Sequence, residues 1–169
     1  MNQKPWSNQD IVLYHGTTRS SAAAILGRID LTHSRPASDF GPGFYTTTNL
    51  IQAREWAAQT TRRQHSGSSA IVRFTIPRDG LATLDTLWFV LGSKDADDYW
   101  SFVSHCRRNL GWSGSFGHGR TMNAGWYDVV VGPVARAWRQ RVSYSRYDQV
   151  SFHTPKSLAV LGRARKAIL

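Results

Sequence analysis

The sequence predicts an α+β fold, with a largely antiparallel or split β-sheet and flanking helices, in a single domain over residues 1–169. Three observations lead to this prediction. Short strand-like runs and helical runs follow one another without the regular βαβ alternation of a parallel sheet. A chain of 169 residues with 41% hydrophobic residues and seven Trp can fill one core. No linker or internal repeat of useful length divides it.

The individual elements follow from apolar periodicity and from helix start and stop signals. Asn49 is expected to cap a helix, with Gln52 in the reciprocal position of a capping box. Ala53, Trp56 and Ala57 then share one face of that helix. In chain order, the predicted elements are a strand at 11–14, a helix at 20–26, strands at 29–31 and 44–47, a helix from 50, strands at 70–76 and 81–90, a helix from 93, strands at 127–131, 142–144 and 150–152, and a helix opened by Thr154 and Pro155.

The positive charge is concentrated near the C-terminus. The whole chain has a net charge of +10. Residues 136–169 hold eight Lys and Arg against one acid, a balance of +7, whereas residues 1–135 have a balance of +3. This placement predicts a polyanionic partner such as nucleic acid, or an acidic protein that covers the basic segment. A solvated basic face is the alternative interpretation.

Cysteine content and hydropathy indicate the compartment. Cys106 is the only cysteine, so an internal disulfide and a Cys-based zinc site are excluded, and no metal-ligand spacing of His and Cys is present. No apolar run approaches the ~20 residues of a membrane helix, and the N-terminal sequence lacks the apolar region of a signal peptide. We therefore expect no membrane association and a cytoplasmic protein, or one delivered into the cytoplasm of a target cell.

Two segments carry the chemistry: His15-Gly16-Thr17-Thr18, and DFGPGFYTTT at residues 39–48. His15 and Tyr45 are each expected at the end of a short strand, beside glycine. An imidazole can hydrogen-bond to a ribose, a phenol ring offers a flat face to an aromatic ring, and glycine lets a flat ligand approach the main chain. The pattern lacks the third glycine of a Rossmann fingerprint and predicts a nucleotide site without a phosphate-cradling loop.

The same segments resemble the ADP-ribosyltransferase superfamily, and most closely its His-Tyr branch, which includes diphtheria toxin and the poly(ADP-ribose) polymerases. Within that branch the chain is similar to a small bacterial family. The resemblance covers most of residues 11–161 and is weakest at 80–125. It rests on the runs LYHGTT at 13–18, RP at 35–36, DFGPGFYTTT at 39–48, QAREWA at 52–57, YDVVVGP at 127–133 and DQVSF at 148–152.

The resemblance implies a split-sheet fold that binds NAD, the ADP-ribose donor, in a cleft, without a metal. On this basis His15 would hydrogen-bond a ribose hydroxyl, and the Gly16 backbone would hold the nicotinamide carboxamide. Tyr45 would stack on the nicotinamide ring, with Gly43 beside it. Gln149 would be the third catalytic residue, at a position that the family often fills with Glu.

Several of these residues have a second interpretation. Arg35 would reach the NAD pyrophosphate or face solvent, and Thr17 would contact NAD or cap the next helix. Tyr45 could be a strand-core aromatic residue, and Gln149 a structural amide. Other histidines, including His33, are expected to be structural or exposed.

Gln149 limits the chemistry that the resemblance implies. An amide can hydrogen-bond a ribose hydroxyl but cannot act as a base, as a glutamate would. Glu55 is the only glutamate, and we expect it on a helix far from this strand. Asp148 is adjacent, but alternation along a strand should direct its side chain to the other sheet face. Chain-building polymerase activity is therefore not expected.

The leading hypothesis is a mono-ADP-ribosyltransferase that modifies a macromolecule, with nucleic acid, and RNA before DNA, as the expected acceptor. Its size and charge suit an intracellular toxin or phage-defence effector that is restrained by an acidic antitoxin or immunity protein. The alternatives are a protein-modifying ADP-ribosyltransferase, an NAD glycohydrolase and a non-catalytic binder of NAD or nucleic acid. A basic ribonuclease that uses His15 with His153 would explain the charge but not the DFGPGFY segment.

Overall fold

Two β-sheets with helices packed against them form the frame of the protein, which confirms the predicted α+β class. The computed structural model describes residues 9–65, 67–90, 96–108 and 126–169. The strands are β1 (Ile11–Thr18), β2 (Phe44–Thr46), β3 (Ser69–Ile76), β4 (Thr86–Trp88), β5 (Val129–Ala137), β6 (Val142–Phe152) and β7 (Arg165–Ile168). The α-helices are α1 (Arg19–Gly27), α2 (Leu50–Gln64), α3 (Arg78–Ala82), α4 (Asp97–Arg107) and α5 (Pro155–Arg163). Within these described ranges, no helix is long and apolar enough to cross a lipid bilayer.

The two sheets meet along a seam between strands β1 and β2. The first sheet has the order β1-β3-β7 and is antiparallel. The second has the order β2-β6-β5-β4, with a parallel β4–β5 pair beside antiparallel neighbours. At the seam, the backbones of Tyr14 and Thr47 exchange two hydrogen bonds of 2.8 and 2.9 Å. This pair joins the edge strands of the two sheets.

The two faces of the second sheet contact different hydrophobic cores. Phe44 and Phe152 point into an aliphatic core that the first sheet shares. Tyr45 and Val130 point to the opposite face, toward the aromatic cluster, which comprises Phe40, Phe89, Tyr99, Trp100, Phe102 and Trp126. Because side chains alternate along a strand, neighbouring residues such as Phe44 and Tyr45 face different cores.

Local capping signals predict the starts of α2 and α5 correctly, whereas α1 is capped by Thr18 and not by Thr17. Thr18 accepts a hydrogen bond from the Ser21 backbone at the start of α1. Asn49 accepts from two backbone N–H groups at the start of α2. Thr154 forms a capping box with Ser157 at the start of α5. Such caps involve residues within one turn, so they can be recognised in the sequence.

Several predicted strands have wrong bounds. Strand β1 continues to Thr18, so His15 lies inside the strand rather than at its end. Strand β5 continues past residues 132–133, and residues 142–152 form one strand instead of two. Residues 29–31 are not a strand, because the Asp30 side chain accepts from the Thr32 backbone and starts a 3₁₀ turn. Strand β7 was not predicted.

Helices α2 and α4 and the 81–90 region also differ from the prediction. Trp56 is 48% exposed, although Ala53 and Ala57 beside it are buried. Gln52 does not complete a capping box, because its amide bonds to the backbone N and O of Asp148 on β6. The predicted 81–90 strand is divided between α3 and β4. Helix α4 begins at residue 97 rather than 93, and residues 93–95 lie outside the described residues.

Candidate functional site

The structure brings His15, Tyr45 and Gln149 to neighbouring strands at the seam. The His15 side chain bonds to the Tyr45 backbone across β1 and β2. Tyr45 is paired with Ser151 on β6, and Gln149 lies two residues from Ser151 on the same strand. Tyr45 and Gln149 therefore lie on the same face of the second sheet.

The His15 imidazole is held in one orientation and in one tautomer. Its Nδ1 lies 2.7 Å from the Tyr45 carbonyl oxygen, and its ring stacks on Phe44 at 4.5 Å. Because a carbonyl only accepts hydrogen bonds, Nδ1 carries the hydrogen. Burial lowers the pKa of His15, which keeps the ring neutral. Nε2 is consequently a hydrogen-bond acceptor that suits a hydroxyl group.

Gly16 is required by packing between β1 and α2. A Cβ at this position would lie 2.0 Å from the Ala53 carbonyl oxygen and 2.8 Å from the Ala57 backbone nitrogen. The space beside the Gly16 Cα is thus filled by the helix backbone rather than left open for a flat ligand. A contact between the Gly16 peptide group and a carboxamide stays a prediction.

Tyr45 is a half-buried, rigidly held aromatic ring. Its hydroxyl donates to the Gly41 carbonyl at 2.7 Å and accepts from the Phe40 backbone at 2.9 Å. Burial and the nearby Asp39 charge raise the pKa of Tyr45 well above its usual value. Gly41 has a φ of 82°, a left-handed conformation that favours glycine. The loop before β2 is therefore closed onto the phenol, which fixes the plane of the ring.

The amide of Gln149 is buried, and its orientation is determined by two acceptors. Nε2 donates to the Asp39 carboxylate at 2.9 Å and to the Pro133 carbonyl at 2.8 Å. These bonds use both N–H groups, so the amide oxygen is the part left to accept from a ligand. Gln149 is only 7% exposed. It has a structural role whatever else it does.

Asp39 links the DFGPGFY segment to three other parts of the fold, a role that the sequence does not indicate. Besides Gln149, its carboxylate accepts from the Ala135 backbone at 2.9 Å and pairs with Arg107 of α4 at 2.6 Å. The aspartate is 3% exposed. Burial, and to a lesser extent the Asp39 charge, raise the pKa of the Cys106 thiol. A carboxylate does stand beside Gln149, but its oxygens already bond to Arg107, Ala135 and Gln149.

His153 forms a second fixed imidazole near Tyr45. Its Nδ1 bonds to the Pro42 carbonyl at 2.7 Å, and its Nε2 lies 2.8 Å from the Ser151 hydroxyl. Burial lowers its pKa to about 4. At neutral pH this ring is uncharged and a poor proton donor, which argues against a ribonuclease that uses His15 with His153. The sequence suggests a role for His153 only as the partner of His15 in that ribonuclease.

The depressed pKa of His153 predicts a loss of stability in acid. In the unfolded chain the His153 ring has a pKa near 6.5, and in the folded protein its pKa is about 4. As the pH falls, the unfolded chain therefore binds a proton first. This contribution to stability is complete above pH 6.5 and is lost as the pH falls toward 4. Between about pH 7 and pH 4.5, we expect the wild type to lose on the order of 2 kcal/mol more unfolding free energy than His153→Gln. Urea unfolding of both proteins measures this difference, and parallel pH curves would contradict it.

The remaining predicted ligand residues are distributed differently. Thr17 is buried in β1 opposite Ala70, and Thr18 rather than Thr17 caps α1. The Arg35 side chain is exposed on the loop before Asp39. Gly43 is buried, and a Cβ there would lie 2.8 Å from the ring of His153. The structure therefore gives Gly43 a packing role beside Tyr45.

Of two acidic residues near Gln149, Asp148 lies where the sequence predicts it and Glu55 does not. Asp148 points to the other sheet face as expected, where it accepts from Thr47 and Thr48. Glu55, however, is not far from this strand, because the Tyr147 hydroxyl donates to its carboxylate. Helix α2 crosses beside β6 at this level, which the sequence did not indicate. In the described part of the chain, no three His, Cys, Asp or Glu side chains form a metal-ligand group.

Comparison with known proteins assigns the chain to a family. No curated protein matches the sequence. The model of a family described as "Protein of unknown function (DUF3990)" matches residues 11–142, a segment that includes His15 and Tyr45 and ends before Gln149. Because this segment is well over half of the 169 residues, the chain belongs to the DUF3990 family.

Proposed function

We propose that this protein is a mono-ADP-ribosyltransferase that uses NAD as donor and a nucleic acid as acceptor. The observation that carries the proposal is the convergence of His15, Tyr45 and Gln149 at the seam. The two-sheet arrangement supports it, because the resemblance to ADP-ribosyltransferases implies a split sheet with NAD in its cleft. The finer assignment to that fold is part of the proposal.

The polar atoms left over at the seam suit a ribose. In His15, Nδ1 bonds to the protein and Nε2 is left as an acceptor. In Gln149, Nε2 bonds to the protein and Oε1 is left as an acceptor. Ribose hydroxyls are donors that match both. The fixed ring of Tyr45 offers a flat surface for nicotinamide at little entropic cost. These residues bind and orient the donor rather than transfer its protons.

The reaction needs little acid catalysis. The bond between ribose C1′ and the nicotinamide nitrogen breaks with its electron pair going to nicotinamide, which is already a cationic leaving group and departs neutral. The acceptor nucleophile then forms a bond to C1′, through an oxocarbenium-like transition state as in glycoside cleavage, and releases its proton. Gln149 cannot take that proton, so a reactive nucleophile or another base is required.

The charge of the protein supports a nucleic-acid acceptor, with RNA placed before DNA. The +7 balance of residues 136–169 favours a polyanion. We further propose that the protein acts inside a cell as a toxin or phage-defence effector, and that an acidic antitoxin or immunity protein restrains it. A protein acceptor is the alternative within the same chemistry.

A non-catalytic NAD-binding domain is the second candidate function. Its support is the burial of Gln149, whose two N–H groups both bond within the protein. NAD binding without turnover would favour this candidate over the transferase.

The test uses labelled NAD with separate pools of RNA, DNA and protein. We expect label on nucleic acid, and a loss of about 100-fold in rate for His15→Ala and Tyr45→Ala, because both hold the donor in position. His33→Ala, at an exposed histidine in the 3₁₀ turn Leu31–His33, is the matched control and should retain activity. Label on protein alone would overturn the nucleic-acid acceptor. Free ADP-ribose without label transfer would instead indicate a glycohydrolase.

A further inference from the structure

We propose that the β5–β6 hairpin binds single-stranded nucleic acid through a defined surface, the hairpin patch, formed by Arg136, Tyr144, Arg146 and Tyr147. Binding at this patch is independent of NAD chemistry. Its use as the docking surface for the acceptor rests on the proposed transferase function.

Two stacked tyrosines on β6 form the aromatic part of the patch. The rings of Tyr144 and Tyr147 lie 4.9 Å apart with an angle of 24° between their planes. Tyr144 is 39% exposed, and the Tyr147 hydroxyl bonds to Glu55 of α2. Neither ring belongs to the aliphatic core or the aromatic cluster described above. Tyr144 is thus the exposed member of a pre-ordered aromatic stack, and such a stack is a platform for unpaired bases.

One arginine lies against this stack, and others follow along the hairpin. The Arg136 guanidinium lies 5.9 Å from the ring centre of Tyr144, and Arg146 is exposed on β6. At the turn of the hairpin, Arg139 lies 5.2 Å from the ring centre of Trp138. Residues 134–147 contain four arginines and no acid. Guanidinium groups interleaved with aromatic rings bind the phosphate backbone while the rings contact bases.

The patch is continuous with the candidate site along β6. Tyr147 and Tyr144 precede Gln149 by two and five residues. At a rise of about 3.3 Å per residue, their Cα atoms lie within about 7 and 17 Å of that of Gln149. The carboxylates of an acidic protein would pair with the arginines, but they would leave the faces of the tyrosine rings without a stacking partner. Single-stranded nucleic acid matches both features.

Fluorescence anisotropy with single-stranded RNA and DNA of about 20 nucleotides, at about 0.15 M salt, tests the patch. We expect Tyr144→Ala and Arg136→Ala to weaken binding about tenfold each, and Tyr144→Phe to retain it because the stacking ring remains. Arg163→Ala removes the same charge from an exposed position on α5 and should change binding little. Tighter binding of RNA than DNA would show contact with the 2′-hydroxyl.

The outcomes separate the patch from the proposed reaction. Three results would overturn the patch. The protein binds neither single-stranded RNA nor single-stranded DNA, or Arg136→Ala and Arg163→Ala weaken nucleic-acid binding equally. The third is binding only to an acidic polypeptide such as polyglutamate. Patch-dependent binding without ADP-ribose transfer would leave the patch standing and overturn the transferase function. NAD binding, measured by calorimetry, should be the same in Tyr144→Ala and the wild type.

Discussion

Gln149→Glu is expected to destabilise the protein by about 3 kcal/mol and to leave ADP-ribose transfer no faster, although Glu is the residue that the resemblance to ADP-ribosyltransferases would favour there. The two N–H groups of Gln149 bond to the Asp39 carboxylate and the Pro133 carbonyl. A carboxylate at this position would have no hydrogen to donate and would face a second carboxylate in a buried site. Urea unfolding measures the loss of stability, and labelled NAD measures transfer.

The pH dependence gives this prediction a specific signature. A protonated glutamate can donate to Asp39, so the destabilisation should be smaller at about pH 5 than at about pH 8. Gln149→Met is the matched control, because it removes the donors without adding charge, and its effect should not depend on pH in this way. A Gln149→Glu protein that is as stable as the wild type and faster in ADP-ribose transfer would contradict this prediction. It would mean that Asp39 does not require an N–H donor at residue 149.

Gly16→Ala is expected to destabilise the protein by about 3 kcal/mol. The added Cβ would lie 2.0 Å from the Ala53 carbonyl oxygen. That oxygen belongs to the backbone of α2, so the contact is relieved only if the helix moves away from β1. A shift of α2 would also disturb its contacts with β6, and the expected measurement is a lower free energy of unfolding in urea.

Gly162→Ala on α5 is the control for this substitution. A Cβ there meets no atom within 4 Å, so the change should be neutral or stabilise the helix by up to about 1 kcal/mol. If Gly16→Ala unfolds at the same urea concentration as the wild type, the close packing of β1 on α2 is wrong.

The sequence by itself predicted the features that depend on neighbouring residues. The caps at Thr154 and Asn49 bond within one turn of their own helices, and the alternation of Asp148 with Gln149 follows from the geometry of one strand. His15 and Tyr45 were identified from short motifs, and the structure places their strands side by side. Their roles toward NAD stay predictions.

Only the tertiary structure decided the features that depend on distant residues. Gln149 bonds to Asp39, which lies 110 residues earlier, and Glu55 meets Tyr147, which lies 92 residues later. No local pattern encodes such partners, because they depend on how the two sheets and α2 are placed. The same reason applies to Gly16. Only glycine fits at this position, because the backbone of α2 packs directly against β1 there.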